Sequence, residues 1–213
     1  SRFVPRARAA EIYEAAWQGR TLSSEERSDF QVYLLRLFGE LDADAGMVMQ
    51  LHVGAVRDYR RRLWQELGPD AGGDISTQQV DWVGGLHWFL NEFDGPLKIV
   101  LYCLDPTHLP TVATIARAFP NVFVGAAWWF NDSPFGMALQ LKYLATVDLL
   151  FNHAGMVTDS RKILSFGSRT EMFRRAVCRV LGEMVEEGQI PEDPARRVAR
   201  RLAYDGPREL FFA

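Results

Sequence analysis

Histidine and cysteine are scarce in this chain of 213 residues. No two of its four histidines are separated by a single residue; they are His52, His87, His108 and His153. The only cysteines, Cys103 and Cys178, lie in apolar surroundings, so they indicate neither a metal knuckle nor a disulfide framework. Cysteines used in this way fit a reducing compartment, and we therefore expect a cytoplasmic protein.

The sequence also lacks a long apolar run, a signal peptide and an excess of basic charge. No segment is apolar over the roughly 20 residues that a membrane helix needs. The 24 basic and 27 acidic residues give a net charge of −3, and this balance does not indicate nucleic-acid binding. Two arginine-rich runs, 57–62 and 196–201, are typical of solvated helix faces, with a basic binding patch as the alternative. We predict no nucleic-acid partner and no membrane. The chain has no initiator Met, which suggests a piece of a longer protein, although processing would have the same result.

What the sequence does contain is a regular alternation of apolar runs and helical patterns. Four near-continuous apolar runs predict strands at 47–54, 97–104, 122–130 and 155–161, and a helical pattern follows each of them. This order favours a parallel sheet with both faces covered. The predicted fold is α/β, made of parallel βα units of a TIM (β/α)8 barrel with extra N-terminal helices. We divide it into a helical segment, 1–45, and a half-barrel, 46–213.

Local signals place the helix ends. An Ala-rich helix is predicted over 6–18, and Ser23 with Glu26 forms the S-x-x-E pattern of a capping box for the next helix. A further helix is predicted at about 77–93, before Gly95-Pro96. The run Ser168 to Glu171 repeats a capping pattern and predicts the start of the long helix after the fourth strand.

Charged side chains end the first and fourth predicted strands. Asp159 and Arg161 lie two residues apart, so both can point into one space, although a lone pair of this kind is more often a surface ion pair. His52 ends the first strand and Arg57 follows shortly after. A histidine there can ligate a metal or exchange protons, or it can be a structural residue. Arg57 can hold an anionic ligand, or it can be an ordinary surface arginine.

Aromatic and amide side chains end the third predicted strand. Because neighbouring strand side chains face opposite sides, either Trp128 or Trp129 should face the mouth of a cavity while the other packs in the core. An indole there offers a sugar ring a flat wall and an N–H donor. Asn131 and Asp132 either join the cavity or make an Asx turn. Together the strand ends predict one cavity holding His, Arg, Trp, Asn and Asp side chains.

Four strings carry a resemblance to a known family. They are MQLHVGAVR (49–57), ELGPDAGGDIS (66–76), WWFND (128–132) and GMVTDSRKILSF (155–166). In this order they strongly resemble the uronate isomerases, also called glucuronate isomerases, of the amidohydrolase superfamily of metal-dependent barrels. The similarity covers nearly the whole chain.

The resemblance implies a longer enzyme with a divalent metal, commonly zinc. In that family a His-x-His pair after the first barrel strand supplies two metal ligands, so its absence agrees with a chain that begins near strand five and supplies strands 5–8. Asp159 matches the family's carboxylate, which would bind the metal and transfer a proton. Arg161 matches the arginine that would hold the substrate. The sequence departs from the family at 58–61, where relatives are often rich in asparagine, so no substrate contact is carried over to that loop.

The activity implied is the interconversion of D-glucuronate and D-fructuronate, and of D-galacturonate and D-tagaturonate, by proton transfer through an enediolate. The residues expected to act are Asp159, Arg161 and His52 in catalysis, and Arg57, Trp128, Trp129 and Asn131 in binding the sugar acid. Two alternatives remain open: a metal-dependent hydrolase in which Asp159 activates metal-bound water, and an inactive half-barrel that only binds. Unpaired strand edges and an exposed inner face predict a homo-oligomer or a missing N-terminal half.

Overall fold

The structure, a computed structural model, describes residues 3–212. The helices are α1 (Arg6–Trp17), α2 (Ser24–Asp44), α3 (Arg61–Leu67), α4 (Trp82–Glu92), α5 (Leu109–Ala118), α6 (Pro134–Thr146), α7 (Leu164–Glu186), α8 (Glu192–Arg200) and α9 (Gly206–Phe212). The strands are β1 (Val48–Val53), β2 (Ala55–Val56), β3 (Ile75–Ser76), β4 (Lys98–Cys103) and β5 (Val122–Val124). Short 3₁₀ segments and a π-helical turn, Arg201–Asp205, complete the described part. Within it, no helix has both the length and the apolar character needed to cross a bilayer.

The main sheet is parallel and has β4 at its centre. β4 pairs with β1 on one side and with β5 on the other, while β2 and β3 form a separate antiparallel pair. Five consecutive residues of β4, Ile99 to Cys103, are buried, as expected for a strand covered on both faces. The predicted α/β class with a parallel sheet is therefore confirmed. The assignment to strands 5–8 of a barrel and the division at residue 45 stay predictions.

The two faces of the sheet are covered differently. Helices α4 to α8 pack on the face that carries Met49, Ile99 and Leu101. On the other face, Val100 and Tyr102 pack with Trp128 and with Leu210 of α9. The expectation of an exposed apolar inner face is therefore wrong for Val100, which is 0% exposed because α9 lies against it. At β1 the same face is polar, since Gln50 and His52 point outward there.

Two predicted strands are shorter than the apolar pattern suggests. The third ends at Val124. Beyond that residue the side-chain amide of Gln140 makes hydrogen bonds that a neighbouring strand would otherwise make: its oxygen accepts from Ala127 N–H and its nitrogen donates to Gly125 C=O. The fourth is wrong, since only His153 bridges to Val124 and no strand forms over 155–161. Gly155 has φ +87°, and its N–H binds the ring of His153, so the chain leaves the ladder there.

Of three predicted helix starts, the structure confirms one, contradicts one and moves one to a later residue. Ser23 and Glu26 form the predicted capping box on α2, with both reciprocal hydrogen bonds present. The predicted cap at Ser168 is wrong, because α7 begins at Leu164 and its preceding residue makes no side-chain cap. The Ser168 hydroxyl instead donates to Ser165 C=O in the preceding turn. The predicted helix at 77–93 begins later, at Trp82, where the Asp81 carboxylate accepts from Gly84 N–H.

We expect Gly125→Ala to destabilise the protein. A Cβ at this position would lie 2.2 Å from a ring atom of Tyr102, which is buried and cannot move aside freely. Overpacking of this kind costs about 1–3 kcal/mol in the free energy of unfolding, measurable by urea titration. Gly85→Ala is the matched control, because nothing lies within 4 Å of its Cβ and alanine favours the helix. Equal stability of the two variants would contradict this packing.

Candidate active site

A cavity of about 320 Å3 opens at the carboxyl ends of the parallel strands. In doubly wound and barrel folds this edge gathers the loops that carry chemistry. Its lining consists of Arg57, Asp70, Gly72, Asp74, Trp128, Trp129, Thr158, Asp159, Arg161 and Arg169. Five residues expected from strand-end positions are among them: both tryptophans, Arg57, Asp159 and Arg161.

Arg57 is held in place from two sides. Its guanidinium Nη1 lies 2.8 Å from Asp74 Oδ2 and 3.2 Å from Asp70 Oδ1. The guanidinium carbon also lies 4.8 Å from the ring centroid of Trp129, a cation–π contact. The N–H of Asp58 donates to Asp74 and lowers the pKa of that carboxyl, and the bond from Arg57 lowers it further against the effect of burial. Asp74 is therefore a charged partner of Arg57.

Both tryptophans line the cavity and they differ in burial, but not through the predicted strand alternation, because β5 ends at Val124. Trp128 is 2% exposed and packs against His52 and Tyr102, with ring centroids 5.0 and 5.3 Å away. Its indole Nε1 is buried and has no hydrogen-bond partner among residues 3–212. Trp129 is half-buried below Arg57. A buried indole N–H without a partner is uncommon in native proteins, and here it lies in a residue that borders the cavity.

Asp159 and Arg161 share the cavity although they do not lie on a strand. Both side chains line it and both residues are exposed. Neither forms an ion pair or a side-chain hydrogen bond within the part of the chain that the structure describes. Neither charge therefore has an ion-pair partner among residues 3–212, in contrast to that of Arg57.

Two predicted site residues lie outside the lining. His52 is exposed and reaches the cavity only through its contact with Trp128. Asn131 donates its side-chain amide to Leu104 C=O at 2.8 Å. That bond fixes the loop after β5, so Asn131 has a structural contact here and the predicted Asx turn is not formed. Its predicted substrate contact is not supported by this position.

Strained backbone concentrates at the cavity. Five non-glycine residues among 3–212 have positive φ, and four of them line the cavity or bind a residue that does: Asp58, Asp70, Trp129 and Asp159. Each such residue costs on the order of 1–3 kcal/mol and persists where the surroundings enforce it. This clustering is typical of functional sites. It is invisible in the sequence, where these residues look like ordinary turn formers.

Sequence reasoning missed Arg169, Asp70 and Asp74 as site residues. The two aspartates lie in the string 66–76 that carries the family resemblance, so a charge partner for Arg57 could have been sought there. Arg169 was read as part of a helix cap. Its position in the first turns of α7, facing the cavity, follows only from where that helix begins.

His153 stabilises the start of the cavity segment in its neutral form. Its Nδ1 accepts from Gly155 N–H at 3.0 Å, and Nε2 lies 3.3 Å from Gln140 Oε1. Complete burial lowers the pKa of the imidazole from 6.5 to about 4. The ring is thus uncharged at neutral pH, and a proton on Nδ1 would break the bond to Gly155.

This burial predicts a loss of stability in mild acid. The unfolded imidazole takes up its proton near pH 6.5, whereas His153 in the folded protein does so near 4. Stability is therefore complete above the unfolded pKa, and up to about 3 kcal/mol is lost as pH falls between these values. Urea unfolding at several pH values in this window measures the loss. A His153→Gln variant should show a smaller loss, and an unchanged slope in that variant would contradict the assignment to His153.

The family model described as glucuronate isomerase matches residues 3–211. The uronate isomerase of Thermotoga petrophila is 62% identical over 210 residues, covering 99% of this chain and 47% of that protein. The uronate isomerase of Oceanobacillus iheyensis is 40% identical over 195 residues, covering 87% of this chain and 41% of the relative. The chain thus spans about half the length of the curated relatives it matches.

Solved structures agree with these matches. The uronate isomerase of Thermotoga maritima superposes with a TM-score of 0.96 at 60% identity, over 99% of this chain and 47% of that structure. The glucuronate isomerase of Caulobacter crescentus superposes with a TM-score of 0.91 at 27% identity, over 99% and 44%.

Proposed function

Because this chain belongs to the glucuronate isomerase family, we propose that it forms the substrate-binding and proton-transfer part of a uronate isomerase. The substrates proposed are D-glucuronate, converted to D-fructuronate, and D-galacturonate, converted to D-tagaturonate. The observation that carries the proposal is the cavity itself. It places an uncompensated carboxylate, Asp159, and an uncompensated guanidinium, Arg161, beside an indole wall.

The reaction moves one hydrogen between adjacent carbons. The Asp159 carboxylate accepts the proton from C2 of the aldose, which leaves an enediolate, and returns it to C1. The proton of the C2 hydroxyl passes to the C1 oxygen, so that the product is the ketose with no net change in atoms. Exposure of Asp159 on the cavity surface suits this exchange. His52, expected from the sequence as a catalytic group, contacts Trp128 but does not line the cavity, so no proton transfer is assigned to it in this proposal.

The three arginines that line the cavity differ in whether a carboxylate of the chain already pairs with them. Arg57 is paired with Asp70 and Asp74, and Arg169 is paired with Asp132. Arg161 has no carboxylate partner among residues 3–212, so it is the cavity cation best able to bind an anionic substrate. Arg57, stacked on Trp129, then borders the sugar and holds the developing oxyanion. Trp128 is proposed to border the sugar with the edge of its ring that lines the cavity.

Residues 3–212 do not by themselves fit a metal ion. Residues 3–212 bring together no three histidine, cysteine or carboxylate groups that could hold one. Asp159 is therefore proposed as one ligand of a zinc ion whose other ligands lie outside these residues, as the family resemblance implies. No step above is assigned to the metal.

Location and assembly are parts of the same proposal. The free thiols of Cys103 and Cys178 support a cytoplasmic location. The outer edge of β1 has no strand partner within residues 3–212, and β5 has only the bridge at His153 on its outer edge, which supports pairing with an N-terminal half or a second copy.

A substrate panel tests the proposed function. A full-length protein carrying this segment should isomerise D-glucuronate or D-galacturonate, detected as ketose formation by ¹H NMR. It should leave amide and lactone substrates of metal hydrolases unchanged. Hydrolysis without isomerisation would favour the hydrolase alternative, and neither activity in the metal-loaded full-length protein would favour a binding-only role. The 213 residues alone serve as the control and are expected to be inactive.

A further inference from the structure

Few hydrogen bonds hold the segment with Asp159 and Arg161 in place, although Val157 before it packs against the cluster that contains Trp128. Its last sheet contact is the bridge from His153 to Val124, and no strand pairing follows over 155–161. Local bonds such as Ser160 N–H to Thr158 Oγ1 fold the segment on itself. Asp159 nevertheless has a positive φ, and a residue other than glycine keeps that backbone conformation where its surroundings enforce it.

Within the described part of the chain, one hydrogen bond joins residues 157–161 to a position more than five residues away along the sequence. Arg169 makes this bond. Its Nη1 donates to Thr158 C=O at 2.5 Å. The carbonyl belongs to the peptide unit that enters Asp159, so the bond fixes the backbone directly before the proposed base. A guanidinium donor makes this a charge-assisted bond, which is stronger than a neutral one.

Arg169 is in turn held from the loop that follows β5. Its Nη2 lies 2.5 Å from Asp132 Oδ2, and the side chain of Asp132 is only 1% exposed. Burial raises the pKa of the Asp132 carboxyl, while Arg169 opposes that rise. A buried carboxylate that lost this cation would be left unpaired, which is strongly unfavourable. The pair therefore ties α7 to the loop that begins at Trp128.

We propose that Arg169 and Asp132 are positioning residues, which hold the Thr158–Asp159 peptide against the tryptophan loop so that the Asp159 carboxylate faces the cavity. Arg169 is less suited than Arg161 to bind the substrate directly, because Asp132 already pairs with its charge. The kinetic consequence rests on the proposed function. The structural consequence, an anchored segment, does not.

Limited proteolysis tests the anchoring without any assay of activity. Trypsin cleaves after Arg161 and Lys162, which are both exposed and lie just beyond the anchored peptide. In the full-length protein, Arg169→Met should accelerate cleavage at these two bonds at least about tenfold, because a charge-assisted bond is lost. Asp132→Asn should have the same effect in the same direction. Arg175→Met is the matched control, since Arg175 lies on the same helix and its one ion-pair partner among residues 3–212 is Glu171.

Steady-state kinetics on the same variants test the consequence for catalysis. Arg169→Met should lower kcat for D-glucuronate on the order of 10–100-fold, because a small displacement of the base has an effect of that size, while KM changes little. Arg169→Lys should restore part of kcat, and adding Asp132→Asn to Arg169→Met should lower kcat no further. A rise in KM with unchanged kcat would overturn positioning in favour of direct binding.

The two proposals fail in different ways. Cleavage of Arg169→Met at the rate of Arg175→Met would overturn the anchoring, whatever the kinetics. Faster cleavage in a protein whose parent isomerises neither uronate would keep the anchoring and refute the proposed function. Should Arg169→Met fail to fold by circular dichroism, Arg169→Lys and Asp132→Asn carry the same comparison against Arg175→Met.

Discussion

Replacing Asp159 by Asn in the full-length protein is expected to lower kcat for uronate isomerisation by about 10²–10⁴-fold, the usual contribution of a positioned acid–base group. Asparagine keeps the shape of the side chain and tolerates the positive φ of 45° at this position. It loses the charge that accepts the C2 proton. The measurement is the initial rate of ketose formation at saturating substrate, together with the urea midpoint to show that the fold is retained.

Asp148→Asn is the matched control for this variant. Asp148 is also an exposed aspartate with positive φ, at 60°, but it lies outside the cavity lining. Its rate should equal that of the unmodified protein. An Asp159→Asn variant with more than about a tenth of the parent rate would remove Asp159 from the role of base.

Arg161→Lys is expected to lower kcat/KM by about 10–100-fold, which corresponds to the loss of one charged hydrogen bond. Lysine retains the charge, but an ammonium group cannot reproduce the planar fork with which arginine grips a carboxylate. Because no carboxylate of residues 3–212 pairs with Arg161, the substitution breaks no ion pair of the described protein. The kinetic change therefore reports on the substrate.

Arg62→Lys controls for the general effect of this exchange, since Arg62 is exposed and, in the described part of the chain, forms an ion pair with Glu66 of its own helix and no other. Its kcat/KM should not change. A near-normal kcat/KM for Arg161→Lys would make Arg161 a structural residue and would leave the substrate carboxylate to Arg57.

The sequence predicts the location of the site better than its detailed structure. Parallel strands bring their carboxyl ends to one edge, so Arg57, Trp128 and Asp159 could be grouped without knowing the pairing. The capping box at Ser23 is likewise a local pattern whose hydrogen bonds do not depend on distant residues. The structure confirms the capping box, and it brings Arg57, Trp128 and Asp159 to one cavity although neither Trp128 nor Asp159 ends a strand; the role of each site residue stays a proposal.

What the sequence could not predict depends on contacts between distant residues. The apolar run at 155–161 looks like a strand, but Gly155 and the ring of His153 turn the chain out of the sheet. The capping pattern at Ser168 is overridden because α7 extends back to Leu164. Arg169 acquires its place in the cavity only through Asp132 and Thr158, which lie 37 and 11 residues away along the chain.

The most direct test of the proposed site is a crystal structure of the full-length Asp159→Asn variant with D-glucuronate, in which slow turnover lets the substrate accumulate. The sugar ring is expected against the indole of Trp128 or Trp129, with its carboxylate on the guanidinium of Arg161 and C2 facing residue 159. Electron density for the sugar outside this cavity, with the cavity itself free of it, would contradict the account.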